Sequence, residues 1–261
     1  MSRPARVLVL ANQKGGVAKT TTTLNLGVAL KERGCRVLAI DLDPQSNLSM
    51  SQGIDIETLS VTMYDVLVKM QPLTDVIQTR EIDIAAAGIE LAGAELALSG
   101  MIGRERALER VIKPIRDLYD YILIDTPPSL GLLTVNAMVA ANGVIVPVQC
   151  EYLSLRGLAQ LRQTLAQVRE HLNPRVEIAG IIPTMYDGRT VHGREAVAIL
   201  EENFGDIVFQ TRIGKTIKFA EAPVRGQSVL KYDSGGQAAR WYRRIADELL
   251  ERDPRSARVA A

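Results

Sequence analysis

Seven short aliphatic runs punctuate the chain: RVLVLA (6–11), RVLAID (36–41), IDIAAA (82–87), YILID (121–125), GVIVPVQ (143–149), VEIAGIIPT (176–184) and DIVFQT (206–211). Their apolar residues are continuous rather than alternating, the pattern of strands covered on both faces. Between them, apolar positions recur with helical period over residues 19–33, 56–70, 92–116, 130–141, 154–171, 193–203 and 236–252. Gly34 and Gly205 fall where a left-handed residue would stop a helix. Strand and helix alternating in this way imply right-handed crossovers, hence an α/β fold: a mostly parallel twisted sheet with helices on both faces. No internal repeat or low-complexity linker interrupts the pattern, so residues 1–252 are expected to form a single domain, and DPRSARVAA (253–261) a disordered tail. Ligands of such sheets gather at the carboxyl ends of the strands.

Composition narrows the function classes. With 47% hydrophobic and only 4% aromatic residues, the core is aliphatic and the chain globular. Its 31 basic residues against 30 acidic leave a net charge of +1, so a nucleic-acid surface would have to be a local patch. Cys35 and Cys150 are too few for a disulfide framework and lack metal-ligand spacing; reduced thiols in a cytoplasmic protein are expected. His171 and His192 have no partner ligands near them in sequence and read as surface residues. The first apolar run is too short for a signal peptide or a membrane span, and no later run is longer.

The stretch KGGVAKTT (14–21) sits between the first predicted strand and the first predicted helix, the setting a phosphate-binding loop requires. Gly15 and Gly16 let backbone N–H groups turn towards an anion, and the helix that follows adds its positive end. Lys19 can reach the β and γ phosphates; Thr20 would place a hydroxyl on Mg²⁺ and Thr21 would donate to an inner phosphate. The strict pattern is broken, since Gln13 and Ala18 stand where it has glycine, and Lys14 is one lysine more than it needs. Taken alone, the motif also fits an ordinary glycine turn before a helix.

Two further strand ends count against that plain reading. YDYILIDTPPS delivers Asp125 at the end of a buried strand, where a carboxylate is costly to desolvate unless a cation meets it. RVLAIDLDPQ delivers Asp41 and Asp43, and Pro44 ends the strand so that both stay in the cleft. Three acidic residues opposite one phosphate loop point to a magnesium-dependent nucleotide site.

KGGVAKTT, DLDPQ and LIDTPPSLG together resemble the deviant Walker A, switch and Walker B motifs of ParA/Soj-type partition ATPases of the ParA/MinD group. The similarity spans nearly the whole chain, including AEAP (220–223) and a C-terminal helix. The resemblance implies a P-loop ATPase with ATP and Mg²⁺ as cofactors and a homodimer that sandwiches ATP. ATP would be held by Lys14, Gly15, Gly16, Val17, Ala18, Lys19, Thr20 and Thr21, with Met185, in the stretch Thr184 to Asp187, at the base. Metal would be held by Thr20, Asp43 and Asp125, and catalysis would rest on Lys14, Lys19 and Asp43. Lys14 would reach the phosphates of the other subunit, although contact with its own phosphates is the plainer alternative. Ala18 departs from the family glycine; were that backbone to need positive φ, alanine would cost about 1 kcal/mol, tuning dimerisation or hydrolysis rather than nucleotide binding.

The resemblance also implies non-specific DNA binding on the nucleoid, with Arg189, Lys215 and Lys218 as the phosphate-contacting patch, extended by Arg194, Arg212 and Arg225. Few residues precede the first strand, so an operator-reading extension is not expected. A ParB-type centromere-binding partner would stimulate slow hydrolysis and couple it to chromosome or plasmid segregation; the alternative cargoes are a carboxysome, chemotaxis cluster, flagellum or division site. The C-terminal helix spaces Trp241, Ile245 and Leu249 along one face, near Arg240, Arg243 and Arg244, and is expected to pack on the core rather than on a membrane. An iron–sulfur reading would need paired cysteines after Asp125, and TPPSLGLLTVNAM has none. A binding module with a dead nucleotide site is disfavoured, because Lys19, Thr20, Asp43 and Asp125 are all present.

Overall fold

Strand residues of this chain are hydrophobic on both sides, and the structure, a computed structural model describing residues 4–151 and 154–253, buries both sides. Seven strands form one sheet: β1 Arg6–Leu10, β2 Val37–Asp41, β3 Ile77–Thr79, β4 Asp83–Ala85, β5 Tyr121–Asp125, β6 Gly143–Gln149 and β7 Ile178–Thr184. The order across the sheet is β3-β4-β2-β5-β1-β6-β7, parallel throughout except for β3 against β4. The helices are α1 Lys19–Glu32, α2 Asn47–Met50, α3 Met63–Val68, α4 Ala94–Ser99, α5 Ala107–Ile112, α6 Leu132–Ala140, α7 Ser154–His171, α8 Val191–Phe204, α9 Lys218–Val224, α10 Val229–Tyr232 and α11 Gln237–Glu251.

Alternate residues of the central strands enter opposite cores. Val7, Val9, Leu38, Ile40, Ile122 and Ile124 meet residues of α3 to α7. Leu8, Leu10, Val37, Ala39, Tyr121 and Leu123 meet α1, α10 and α11. β1, flanked by β5 and β6, therefore ends deep inside the molecule, and its loop emerges at the centre of the carboxyl rim.

Several elements depart from the sequence expectation. DIVFQT makes no strand: Gly205–Ile207 is a 3₁₀ turn and Val208 forms a single parallel bridge to Ile181. The Phe209 amide still donates to the Ile181 carbonyl at 2.8 Å, but those of Gln210 and Thr211 donate to the Glu248 carboxylate at 2.8 and 2.9 Å, so from there a side chain takes the bonds a neighbouring strand would have made. The helix expected over 56–70 shortens to α3, which starts at a capping box between Thr62 and Asp65. The segment 92–116 breaks at Gly100–Gly103, where Gly103 has φ 68°. β3, α2, α9 and α10 carry too few residues to show a period. Gly34, at φ 85°, does end α1.

Asp253, expected in the tail, is instead buried and accepts a hydrogen bond from the Tyr121 hydroxyl, so the folded part reaches it. The rest of that expected tail, 254–261, lies outside the described residues. Ile245 and Leu249 of α11 are fully buried against the core, and among the described residues no helix is long and apolar enough to cross a membrane. Both cysteines are free thiols, and both histidines point outward.

Candidate functional site

The loop from Ala11 to Ala18 wraps the amino end of α1 and is pinned from below. Asn12 donates through Nδ2 to the Pro147 carbonyl at 2.7 Å and accepts from the Lys14 amide at 3.0 Å. The Thr184 hydroxyl donates to the Val17 carbonyl at 3.2 Å, tying the end of β7 to the loop. Gly16 and Ala18 both have positive φ, 70° and 72°. Glycine adopts that conformation freely, whereas alanine at 18 carries the strain of a left-handed residue directly before the first helical turn.

Lys19 opens α1 and is only 7% exposed. Its ammonium donates to the Asn12 carbonyl at 3.1 Å, and burial lowers its pKa against the opposing pull of Asp125 and Asp43. Thr20 donates to Asp125 Oδ2 at 2.6 Å, and Thr23, one turn later, donates to Oδ1 at 3.2 Å. Asp125 has no exposed surface. Burial, reinforced by the neighbouring Asp41, raises its pKa to about 8, against the Thr20 bond and Lys19. A carboxylate so placed favours an added cation.

Asp41 has a different task. It too is fully buried, with its pKa raised to about 6 by desolvation, but its Oδ2 accepts from both the amide and the hydroxyl of Ser49, at 2.9 and 2.7 Å. It thereby holds the turn that carries Asp43, whose Oδ1 accepts from the Gln45 amide at 2.9 Å. Ser46 in that turn has φ 53°, a second strained residue at the site. Among the described residues no three acidic, histidine or cysteine side chains converge as a metal cage. One hydroxyl, one buried carboxylate behind it and a bound phosphate are the donor set suited to Mg²⁺, which keeps much of its water.

These groups border a cleft of about 750 Å³. Gly15, Gly16, Ala18, Lys19, Thr20, Thr21, Asp43 and Met185 all line it, so most of the residues expected at an ATP site come together. Val17 does not: its side chain is wholly buried and it contributes only backbone. Lys14 does not line it either; its ammonium sits at the rim, 3.4 Å from Glu151 Oε2. The opposite wall consists of Ile213 to Thr216 and of Phe219, Ala220 and Pro223 on α9, which includes the AEAP stretch. Ser49, Thr23, Asn12 and Ser46 were missed from sequence; short polar residues carry no spacing signature, and only coordinates reveal what they hold.

The expected DNA residues are less uniform. Arg189 is highly exposed but paired with Asp187 at 2.8 Å, holding that carboxyl at about 2. Lys215 lines the cleft and adds to the field on Asp187. Lys218 pairs with Glu221 at 2.9 Å and lies 5.4 Å from the Tyr232 ring centroid. Arg212 does not extend the patch: it is partly buried, bonded to Glu201 at 2.8 Å and stacked on Tyr186, and so is spent on packing.

A parallel sheet whose central strand feeds a lysine-bearing loop onto a helix, with a buried acid behind the first threonine, defines a P-loop nucleotide-binding ATPase. A family model described as an AAA domain matches residues 5–178. The chain is 43% identical to the chromosome partitioning protein ParA of Caulobacter vibrioides, covering 99% of each chain. It is 41% identical to the sporulation initiation inhibitor protein Soj of Bacillus subtilis, over 94% of this chain and 98% of that one. The chain belongs to the ParA/Soj family of ATPases, within the ParA/MinD group. The structure is similar to that of a Mycobacterium smegmatis protein described as cobyrinic acid a,c-diamide synthase, solved with ADP and magnesium and with an ATP analogue and magnesium. That match has a TM-score of 0.85 and 39% identity over 97% of both chains. ATP and Mg²⁺ are the cofactors of this chain.

Proposed function

We propose that the chain is an ATP-driven dimerisation switch: two copies close on ATP, the dimer holds DNA without regard to sequence, and slow hydrolysis, stimulated by a ParB-type partner, releases it during chromosome or plasmid segregation. The observation that carries this reading is the contrast between the two lysines of one loop. Lys19 points into its own cleft, whereas Lys14 stands at the rim on Glu151 and lines no part of it. A triphosphate buried between two proteins demands added cations, which supports Lys14 as the group that serves a facing copy.

Within one copy, Lys19 and the amides at the start of α1 hold the β and γ phosphates, and Thr20 with Asp125 behind it would hold Mg²⁺, which screens the phosphate charge. Asp43, at the cleft surface and fixed by the Asp41–Ser49 bonds, orients the attacking water. Arg189, Lys215 and Lys218 meet DNA phosphates, Arg189 and Lys218 by exchanging their internal carboxylate partners for phosphate.

A salt series on binding to random-sequence DNA tests this reading. Steep, salt-dependent binding with ATP and none with ADP is expected; binding indifferent to nucleotide contradicts it. The name of the Caulobacter vibrioides relative, a chromosome partitioning protein, favours chromosome segregation over another cargo.

A further inference from the structure

The chain's single tryptophan lies behind the nucleotide cleft. A Cβ added to Gly214 would sit 2.7 Å from Cη2 and 3.0 Å from Cζ2 of Trp241, so the indole fills the space that a side chain at 214 would need. Gly214 lines the cleft and bridges in parallel to Tyr186, whose amide donates to the Ile213 carbonyl at 2.9 Å. That bridge clamps the end of β7, which leads into Met185, onto the opposite wall, and the indole backs the clamp.

Tyr242, the next residue and fully buried, meets the site at two further points. Its ring packs edge-on against Phe219 of the α9 wall, with centroids 6.0 Å apart at 79°. Its hydroxyl lies 3.2 Å from the Thr22 hydroxyl in the first turn of α1, beside cleft-lining Thr21. Consecutive residues on a helix point about 100° apart, which lets one pair reach three points on the two walls. Ile245 and Leu249 anchor the rest of α11 in the core.

We propose that Trp241 and Tyr242 are positioning residues of the ATP site, setting the distance between its walls and carrying nucleotide occupancy into α11. Neither touches the nucleotide; each acts through Gly214, Phe219 or Thr22. A cleft whose walls lean on locked aromatic side chains is pre-organised, and loosening the backing lowers affinity without removing any contact to the ligand. The proposal rests on the ATP reading of the cleft.

The test follows Trp241 emission during titration with MgADP, beside equilibrium dialysis of labelled ADP on the same protein. A saturable change in emission with the midpoint found by dialysis is expected. Trp241→Phe should bind MgADP roughly three- to tenfold more weakly, the loss expected for a weakened aromatic contact. That loss should fall on KM for ATP rather than on kcat. Tyr242→Phe, which removes only the hydroxyl facing Thr22, should give a smaller loss of the same kind, and it replaces Trp241→Phe as the test if that variant loses its cooperative thermal transition. Emission that ignores ADP shown by dialysis to be bound, or variants that bind as tightly as the parent, would overturn the inference and leave the ATP reading standing. Dialysis that detects no ADP would overturn that reading and the inference with it.

Discussion

On the phosphate-loop wall of the cleft, Lys19, Asp125 and Asp41 are almost wholly withdrawn from water, and hydrogen bonds of 2.6 to 3.2 Å hold them. On the facing wall, Ile213 to Thr216 and α9 offer backbone and mostly apolar side chains beside Lys215 and Thr216, backed by Trp241 and Tyr242. The first wall is fixed by charge, so changing one atom there exposes a large desolvation penalty. The second is fixed by packing, so changes there should act in graded steps. The first wall should therefore decide whether nucleotide binds, and the second how tightly.

The largest effect should therefore come from Lys19→Ala. It removes a buried ammonium that the phosphates need, and should weaken ATP binding by about 3 kcal/mol or more, beyond roughly 100-fold; calorimetric titration reads it. A variant that binds ATP normally would erase the distinction between the walls.

Asp125→Asn should weaken magnesium-dependent ATP binding roughly 10- to 100-fold, as outer-sphere changes at metal sites do. It should also leave the nucleotide-free protein as stable as before, or more so. The sign follows from linkage: burial raises this carboxyl from 3.8 to about 8, so the fold favours its neutral form. The nucleotide-free parent has that contribution in full below its unfolded value and loses it as pH rises through about 8. The asparagine variant has no such loss, and thermal melts across that pH range compare the two.

At the rim the effects shrink. Lys218→Glu should lower the slope of log affinity for DNA against log salt by about one and weaken ATP-dependent DNA binding uniformly across sequences. An unchanged slope would remove Lys218 from the patch. Ala18→Gly should relieve the left-handed strain by about 1 kcal/mol, raising the melting temperature by roughly 2–4 °C, and should alter dimerisation or turnover. Unchanged dimerisation and turnover would leave Ala18 as a local strain with no role in the switch.

The same division explains what could be read in the sequence. Charge chemistry admits few residue types at fixed spacing, so Lys19, Thr20, Asp43 and Asp125 are legible with their strands and loop, and so is the mostly parallel sheet, whereas the order of its strands is not. Packing admits many solutions, so nothing marked Trp241 behind Gly214, or Glu248 taking the amides that made DIVFQT look like a strand. Arg212 misled for a related reason: a basic residue near others reads as surface, and only its stacking on Tyr186 reveals a packed role. The positive φ at Ala18 was conditional in the sequence and is definite in the structure.

In the proposed dimer, the second lysine of the loop serves a facing copy. Light-scattering mass of the Asp43→Ala protein, which lacks the proposed water-orienting carboxylate and should hydrolyse ATP more slowly, tests it with MgATP, with and without the added Lys14→Ala change. A mass of twice 28.5 kDa is expected for the first and 28.5 kDa for the second, with ATP still bound to both. A doubled mass that survives loss of Lys14, or no doubling in either, would contradict it.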